Sequence, residues 1–312
     1  MPPHAGSLSN CRDTAVDPCD RRTFLKDAGV AAAAIATAGA WPLAAATPQR
    51  SGPFSAFGIV APLARAAELK AAGAEYLVDR VADFLMPAAS DADFETQRER
   101  AAAAPIPVRG CNVFLSGPAL RCIGPDVDRP RILAYAETAF RRFQSLGGQF
   151  ICFGSGGARR IPEGWTKAQA DEQFIALLTA LAPLAERYGL VIPVEQLRSQ
   201  ECNYLTRLSE VVTVVKAVNH PRIRVLADLY HMGVMGDGPE EMGATAPYLA
   251  MVEIAEKVGR MVPGVAGDDF RPYFKAIRAN GYSGPITIEG NGTTEQIRRA
   301  FEVIAAQARD LG

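Results

Sequence analysis

Histidine is scarce in this chain: of 312 residues only His4, His220 and His231 carry an imidazole, which excludes a multi-zinc centre built mainly from histidine. Charge of one sign is also missing. Lys+Arg number 33 and Asp+Glu 34, for a net charge of −1, so there is no excess of positive charge to neutralise nucleic-acid phosphates. No strongly apolar run reaches the ~18 residues of a membrane span, which excludes a polytopic membrane protein. No Gly-x-Gly-x-x-Gly fingerprint appears early in the chain, and no Cys-x-x-Cys pair appears anywhere. What is present is globular in composition, 48% hydrophobic and 21% charged.

The first stretch reads as an address. Arg21 and Arg22 are followed by Phe24, Leu25 and Lys26, then by a weakly apolar Ala/Gly/Val segment ending in Ala44-Ala45-Ala46. A basic region, an apolar region and small residues at the end make a signal peptide, and the paired arginines give it the pattern of a twin-arginine (Tat) signal. Residues 1–46 are therefore expected to be the signal and 47–312 the working domain, 312 − 46 = 266 residues. The expected partner of the signal is the Tat export machinery and the expected location is periplasmic or exported. Cys11 and Cys19 leave with the signal, while Cys111, Cys122, Cys152 and Cys202 remain and are expected to be buried thiols.

Short apolar runs then alternate with longer amphipathic ones. Strands are predicted over 54–60, 74–79, 107–115, 149–154, 190–197, 223–231, 249–255 and 284–289. Helices are predicted near 63–73, 91–104, 128–147, 166–189, 203–218, 239–248, 268–280 and 294–310, with Gly148, Gly189 and Gly281 at their ends. Gly154-Ser155-Gly156-Gly157 reads as a tight turn between a strand and a helix. Eight strand–helix units without a dinucleotide fingerprint predict an α/β fold of the (β/α)8 TIM barrel type, with its active site at the C-terminal ends of the strands.

Acids stand at those ends. Glu195 closes Leu190–Val194, Asp228 closes Val225–Ala227 with His231 three residues on, Glu253 lies within Met251–Ala255, and Glu289 closes Pro285–Ile288. An unpaired carboxylate there costs several kcal/mol in desolvation, and converging carboxylates raise one another's pKa. A divalent cation resolves both, and oxygen ligands favour Mg²⁺ or Mn²⁺, with Co²⁺ a further option. Such an ion stabilises the enediolate formed when a C–H proton beside a carbonyl is removed. Glu195 and Glu289 are the expected acid/base pair. A glycosidase also uses two carboxylates, so the pair alone does not name the reaction.

Three segments carry a resemblance: Glu195-Gln-Leu-Arg-Ser-Gln-Glu201-Cys-Asn203, Asp228-Leu-Tyr-His231-Met232, and Gly281-Tyr-Ser-Gly-Pro-Ile-Thr-Ile-Glu289. From about residue 54 onward the chain resembles the sugar isomerase/epimerase superfamily with a xylose-isomerase-like barrel, in particular ketose 3-epimerases. Phe153–Arg159 and Cys111–Gly117 have the same look. The resemblance implies Glu195 and Glu289 as metal ligands and acid/base pair, Asp228 as a ligand, His231 and Arg260 on substrate oxygens, and Glu201 on a terminal hydroxyl. Arg260 also stands out alone, as a cation just past strand seven able to polarise an oxygen. Where the family has His-Val-His this chain has Met251-Val252-Glu253, and Gln196 replaces a frequent proline. Either Glu253 takes the place of the second histidine, or it points elsewhere and three protein ligands remain. The histidine-rich, trinuclear zinc endonuclease branch of the superfamily is excluded by the histidine count.

The function expected is a divalent-metal-dependent sugar isomerase or epimerase acting on a small-molecule sugar. Two alternatives stand beside it: a lyase of a 3-oxo-glycoside or keto-inositol on the same barrel, and a non-catalytic periplasmic sugar-binding protein. A homodimer stays open.

Overall fold

The computed structural model describes residues 54–311; the expected signal and its cleavage site after Ala46 lie outside them. Eight strands, β1 (Phe57–Val60), β2 (Tyr76–Arg80), β3 (Val108–Asn112), β4 (Phe150–Ile151), β5 (Ile192–Glu195), β6 (Ile223–Asp228), β7 (Leu249–Ile254) and β8 (Ile286–Ile288), fall inside or at the edges of the eight predicted runs. All pair in parallel, in the order β4-β3-β2-β1-β8-β7-β6-β5. The two ends of that order meet through bridges Phe150↔Val191 and Phe153↔Val194. There the N–H of Ile151 donates to Val191 O at 3.0 Å and that of Phe153 to Pro193 O at 2.8 Å, so the sheet closes on itself.

Around it run α1 (Ala66–Ala71), α2 (Asp91–Ala102), α3 (Arg129–Ser145), α4 (Gly156–Arg159), α5 (Lys167–Arg187), α6 (Leu208–Val218), α7 (Leu229–Met235), α8 (Met242–Thr245), α9 (Arg271–Ala279) and α10 (Thr294–Arg309). Capping boxes at Ser90, Thr166 and Thr293 start α2, α5 and α10. In α5 Phe174, Leu177, Leu178 and Leu181 recur at helical spacing and are buried, with Leu184 partly buried beside them.

Several boundaries differ from the sequence expectation. The helix predicted from 203 begins at Leu208, because Asn203 is tied to Ile161 by two hydrogen bonds of 2.9 and 3.0 Å and Leu205 takes a left-handed φ of 55°. The helix predicted over 239–248 is only α8 between two 3₁₀ turns, each with a proline near its start (Pro239, Pro247). The run predicted as strand to 231 turns into α7 at Leu229. The left-handed residue after α3 is Gly147 (φ 73°), and Gly148 instead keeps its backbone close to the Phe143 ring.

The barrel lumen is filled. Ala56, Tyr76, Val78, Phe150, Cys152, Leu226 and Met251 form a buried cluster separate from the larger core under the helices. A Cβ on Gly58 would come within 2.2 Å of the Tyr76 ring, and one on Gly110 within 2.0 Å of the Phe150 ring. These glycines are the small partners that let two large rings fit a closed interior. The phenol of Tyr76 is hydrogen-bonded to Thr287 Oγ1 at 2.7 Å, which satisfies both groups inside the lumen. All four cysteines of the described residues are buried and free, as expected.

Candidate active site

Glu195 ends β5, Asp228 ends β6, Glu253 lies in β7 and Glu289 follows β8 by one residue. One carboxylate oxygen from each of the four lies within 4.8 Å of the others. A second set, Glu195, Asp228 and His231, meets the same limit. The sequence-predicted acids therefore converge on one place at the C-terminal end of the barrel.

Asp228 divides its two oxygens. Oδ1 accepts the backbone N–H groups of Tyr230 (2.7 Å) and His231 (3.4 Å), capping α7. Oδ2 turns to the cluster, 3.4 Å from His231 Nε2 and 3.5 Å from Arg260 Nη2. Capping and site geometry are thus the same feature: the cap ends β6 and starts the turn that carries His231 inward.

His231 is fully buried. Its Nδ1 accepts the backbone N–H of Arg198 at 3.2 Å, so a neutral ring carries its proton on Nε2. Nε2 lies 3.5 Å from Glu195 Oε1 and 4.0 Å from Glu201 Oε2, and makes no hydrogen bond. His231 presents a donor to the site rather than a lone pair. Burial pulls its pKa down, but the charges of Asp228 and Glu195 outweigh that and hold it above the usual histidine value.

Glu195 owes its position to a neighbour without a side chain. A Cβ on Gly154, three residues past the end of β4, would lie 2.1 Å from Glu195 Oε2. The Gly-Ser-Gly-Gly turn predicted there is present, and its first glycine makes room for the carboxylate. Glu195 Oε1 is buried with no hydrogen-bond partner.

Glu289 is held from two sides. Asn112, at the end of β3, donates from Nδ2 to Oε1 at 3.2 Å, and Arg260 Nη2 pairs with Oε2. Arg260 Nε donates to the backbone O of Glu289 at 3.1 Å. Burial and the charge of Glu195, only partly offset by Arg260, push Glu289 up to about 7. Glu253 is fully buried, with Cys152 Sγ 3.9 Å from its Oε1. Burial and then the charges of Glu289, Glu195 and Asp228 push it well above the carboxylate range.

Arg260 takes a left-handed φ of 51°, rare for a non-glycine residue. Its guanidinium lies 4.8 Å from the Tyr230 ring centroid, and Nη1 is 3.6 Å from Glu201 Oε1. Glu201 sits at the rim, with Oε1 accepting from Arg198 Nε at 2.7 Å. Burial works against the charge of Arg260, but Glu289, Asp228, Glu195 and Glu201 hold its pKa above the ordinary arginine value.

Three positions to which the sequence assigned no part in the site support this arrangement. Asn112 and Gly154 are described above. The third is Glu256, fully buried, which accepts backbone N–H groups from Gly264 (2.7 Å), Gly267 (2.9 Å), Asp268 (3.3 Å) and Ala266. It folds the loop after β7, which carries Arg260, around one carboxylate. Asn112 lay inside the predicted run 107–115, where a polar side chain directly before Val113-Phe114-Leu115 was a usable signal; nothing in the spacing marks Glu256.

The donor set fits a hard divalent cation. Four carboxylates converge, and one buried oxygen, Glu195 Oε1, has no partner. His231 stands beside this set as a hydrogen-bond donor.

The profile of the xylose isomerase-like TIM barrel family matches residues 63–307. The chain belongs to that family. Among relatives, an L-ribulose 3-epimerase of Methylomonas sp. is 27% identical over 165 residues, 51% of this chain and 57% of that one. A 3-dehydro-D-guloside 4-epimerase of Escherichia coli is 26% identical over 125 residues, 40% of this chain and 47% of that one. The chain thus spans about half the length of these curated relatives. A D-psicose 3-epimerase crystallised in the presence of D-fructose superposes with a TM-score of 0.66 at 18% identity, over 82% of this chain and 96% of that one. That likeness establishes the shared barrel.

Proposed function

We propose that this protein is a sugar epimerase or isomerase that removes and returns a proton on a carbon next to a carbonyl, with a divalent cation held by Glu195, Asp228, Glu253 and Glu289. The observation that carries this reading is the convergence of Glu195 and Glu289, the expected acid/base pair, with two further carboxylates within 4.8 Å. When bound, a hard ion such as Mn²⁺ or Mg²⁺ draws electron density from neighbouring oxygens and lowers the cost of negative charge on them.

The protein groups divide the remaining work. One of Glu195 and Glu289 takes the proton, and the other supplies one, so that configuration inverts when they act from different sides. Asn112 and Arg260 fix the direction of the Glu289 carboxylate. The Nε2–H of His231 and the guanidinium of Arg260 donate to substrate oxygens, where negative charge develops as the proton leaves. Glu201 accepts from a hydroxyl at the rim. The relatives named as 3- and 4-epimerases support inversion at a sugar carbon as the outcome here too. The paired arginines 21 and 22 support an exported enzyme.

The test is exchange with deuterated water. Mn²⁺-loaded protein should incorporate deuterium at the carbon beside the carbonyl of ketoses or 3-keto-glycosides, and Glu289→Gln should lower that rate by about 10²-fold or more with its melting transition retained. Exchange at the wild-type rate in Glu289→Gln would remove it from the pair, and absence of exchange in the wild type would end the reading. Analysis of the products separates an epimer from loss of a β-substituent, which would mark a lyase.

A further inference from the structure

Asparagine followed by glycine occurs twice in the chain, at Asn280-Gly281 after α9 and at Asn291-Gly292 after β8. Both asparagines are exposed. In such a pair the backbone nitrogen of the glycine can attack the side-chain amide before it, and a residue without a Cβ resists the approach least. The nitrogen must first shed its proton, so an N–H held in a hydrogen bond is protected. The two pairs differ in this respect. The N–H of Gly281 donates to Arg278 O at 3.0 Å, and Asn280 Nδ2 donates to Ala276 O at 2.8 Å. The N–H of Gly292 makes no hydrogen bond among the described residues. Asn291 Nδ2 makes one long bond, 3.3 Å, to Gly259 O.

Asn291 is also where the chain after β8 grips the loop that carries Arg260. Its N–H donates to Arg260 O at 2.7 Å, and its carbonyl accepts from Val262 N at 2.9 Å. The two segments pack closely on either side. A Cβ on Gly290 would lie 3.1 Å from Arg260 O, and one on Gly292 would lie 2.8 Å from Val262 Cγ2. An added main-chain carbon has no room in that fit.

We infer that Asn291 is a modification site, where spontaneous conversion to isoaspartate releases the loop that positions Arg260. The Gly292 nitrogen bonds to Asn291 Cγ as the Cγ–Nδ2 bond breaks. The amide leaves as ammonia with the proton that the nitrogen lost, and a five-membered imide remains. Water opens that ring. Opening at Cγ gives aspartate; opening at the main-chain carbonyl gives isoaspartate, whose main chain runs through Cβ and Cγ. Nothing is oxidised or reduced. In isoaspartate the carbonyl that accepted from Val262 has become a free carboxylate. The inference does not depend on the proposed proton transfer; only its consequence for activity does, through the guanidinium of Arg260.

The test is to age the full chain in mildly alkaline buffer and map its peptides by mass spectrometry that separates isoaspartate from aspartate. Isoaspartate should form at 291 at least about fivefold faster than at 280, the factor expected where one hydrogen bond must first be broken. Hydrogen exchange at the Val262 amide should quicken about tenfold or more in the aged protein, as its acceptor is lost. Asn291→Gln should suppress both changes. Asn291→Asp, which has the charge without the longer main chain, should keep Val262 protected. Equal or faster conversion at 280 would overturn the site. Isoaspartate at 291 with parental exchange at Val262 would overturn the release of the loop, and fast exchange in fresh Asn291→Asp would assign that release to charge instead. In Mn²⁺-loaded protein, deuterium exchange into sugar should fall as isoaspartate accumulates. If fresh protein shows no such exchange, the proton-transfer reading fails, while peptide mapping and Val262 still decide this one.

Discussion

Asp228 and His231 are joined twice: one carboxylate oxygen accepts the backbone N–H of His231 at 3.4 Å, and the other lies 3.4 Å from its imidazole Nε2. The first contact belongs to the fold and the second to the site. Asp228→Asn keeps an acceptor for the cap and should remain within about 1 kcal/mol of the parent in stability, whereas Asp228→Ala loses the cap as well. Both should lose Mn²⁺ binding by calorimetry, with only the alanine variant shifting clearly in urea melts. Retention of parental Mn²⁺ affinity in Asp228→Asn would remove Asp228 from the ligand set.

Gly154→Ala tests the space beside Glu195. The added methyl would lie 2.1 Å from Oε2, so the carboxylate must move. Activity should fall by about 10²-fold, the scale of a displaced catalytic group, and stabilisation by Mn²⁺ should shrink in a melting assay. Parental values for both would show that Glu195 has another place to sit.

Glu256→Gln replaces a carboxylate that accepts four backbone N–H groups with an amide that turns a donor toward some of them. A cost of about 2 kcal/mol is expected. Proteolysis should quicken between residues 256 and 268, and kcat should fall because Arg260 rides on that segment. Unchanged cleavage kinetics would mean the loop is held by other contacts.

Protonation of Glu289 should set the pH range of the proposed ion binding. The pKa of Glu289 is raised from 4.5 to about 7 in the folded protein. A raised folded-state pKa contributes stability that is complete below 4.5 and is lost as pH rises through about 7. A bound cation needs the ionised form and relieves that loss. The increase in melting temperature produced by Mn²⁺ should therefore be small at about pH 5.5 and grow toward pH 8. A pH-independent increase would place the ion away from Glu289.

Much of this architecture was readable because parallel strands covered on both sides are continuous apolar runs, as in Val225-Leu226-Ala227, and a charge at the end of such a run stands out. Glu195, Asp228, Glu253 and Glu289 were visible for that reason. Asn112 obeys the same geometry but is neutral, so it carried no electrostatic alarm. Helix α7 was hidden inside a strand pattern because Leu229, Tyr230 and Met232 are all apolar and buried, and a seven-residue helix is too short to display a period. Glu256 satisfies itself with main-chain groups 8 to 12 residues downstream, and main-chain groups leave no trace in residue identity. The His-to-Glu difference at Glu253 left two outcomes open, and the side chain joins the other acids.

The rings of Tyr76 and Phe150, seated over Gly58 and Gly110, stopper the cylinder from below. Everything the acids handle then arrives and departs through one mouth. Under the proposed function, an ion held by Glu195, Asp228, Glu253 and Glu289 would share that mouth with the sugar, so a bound sugar would slow its loss.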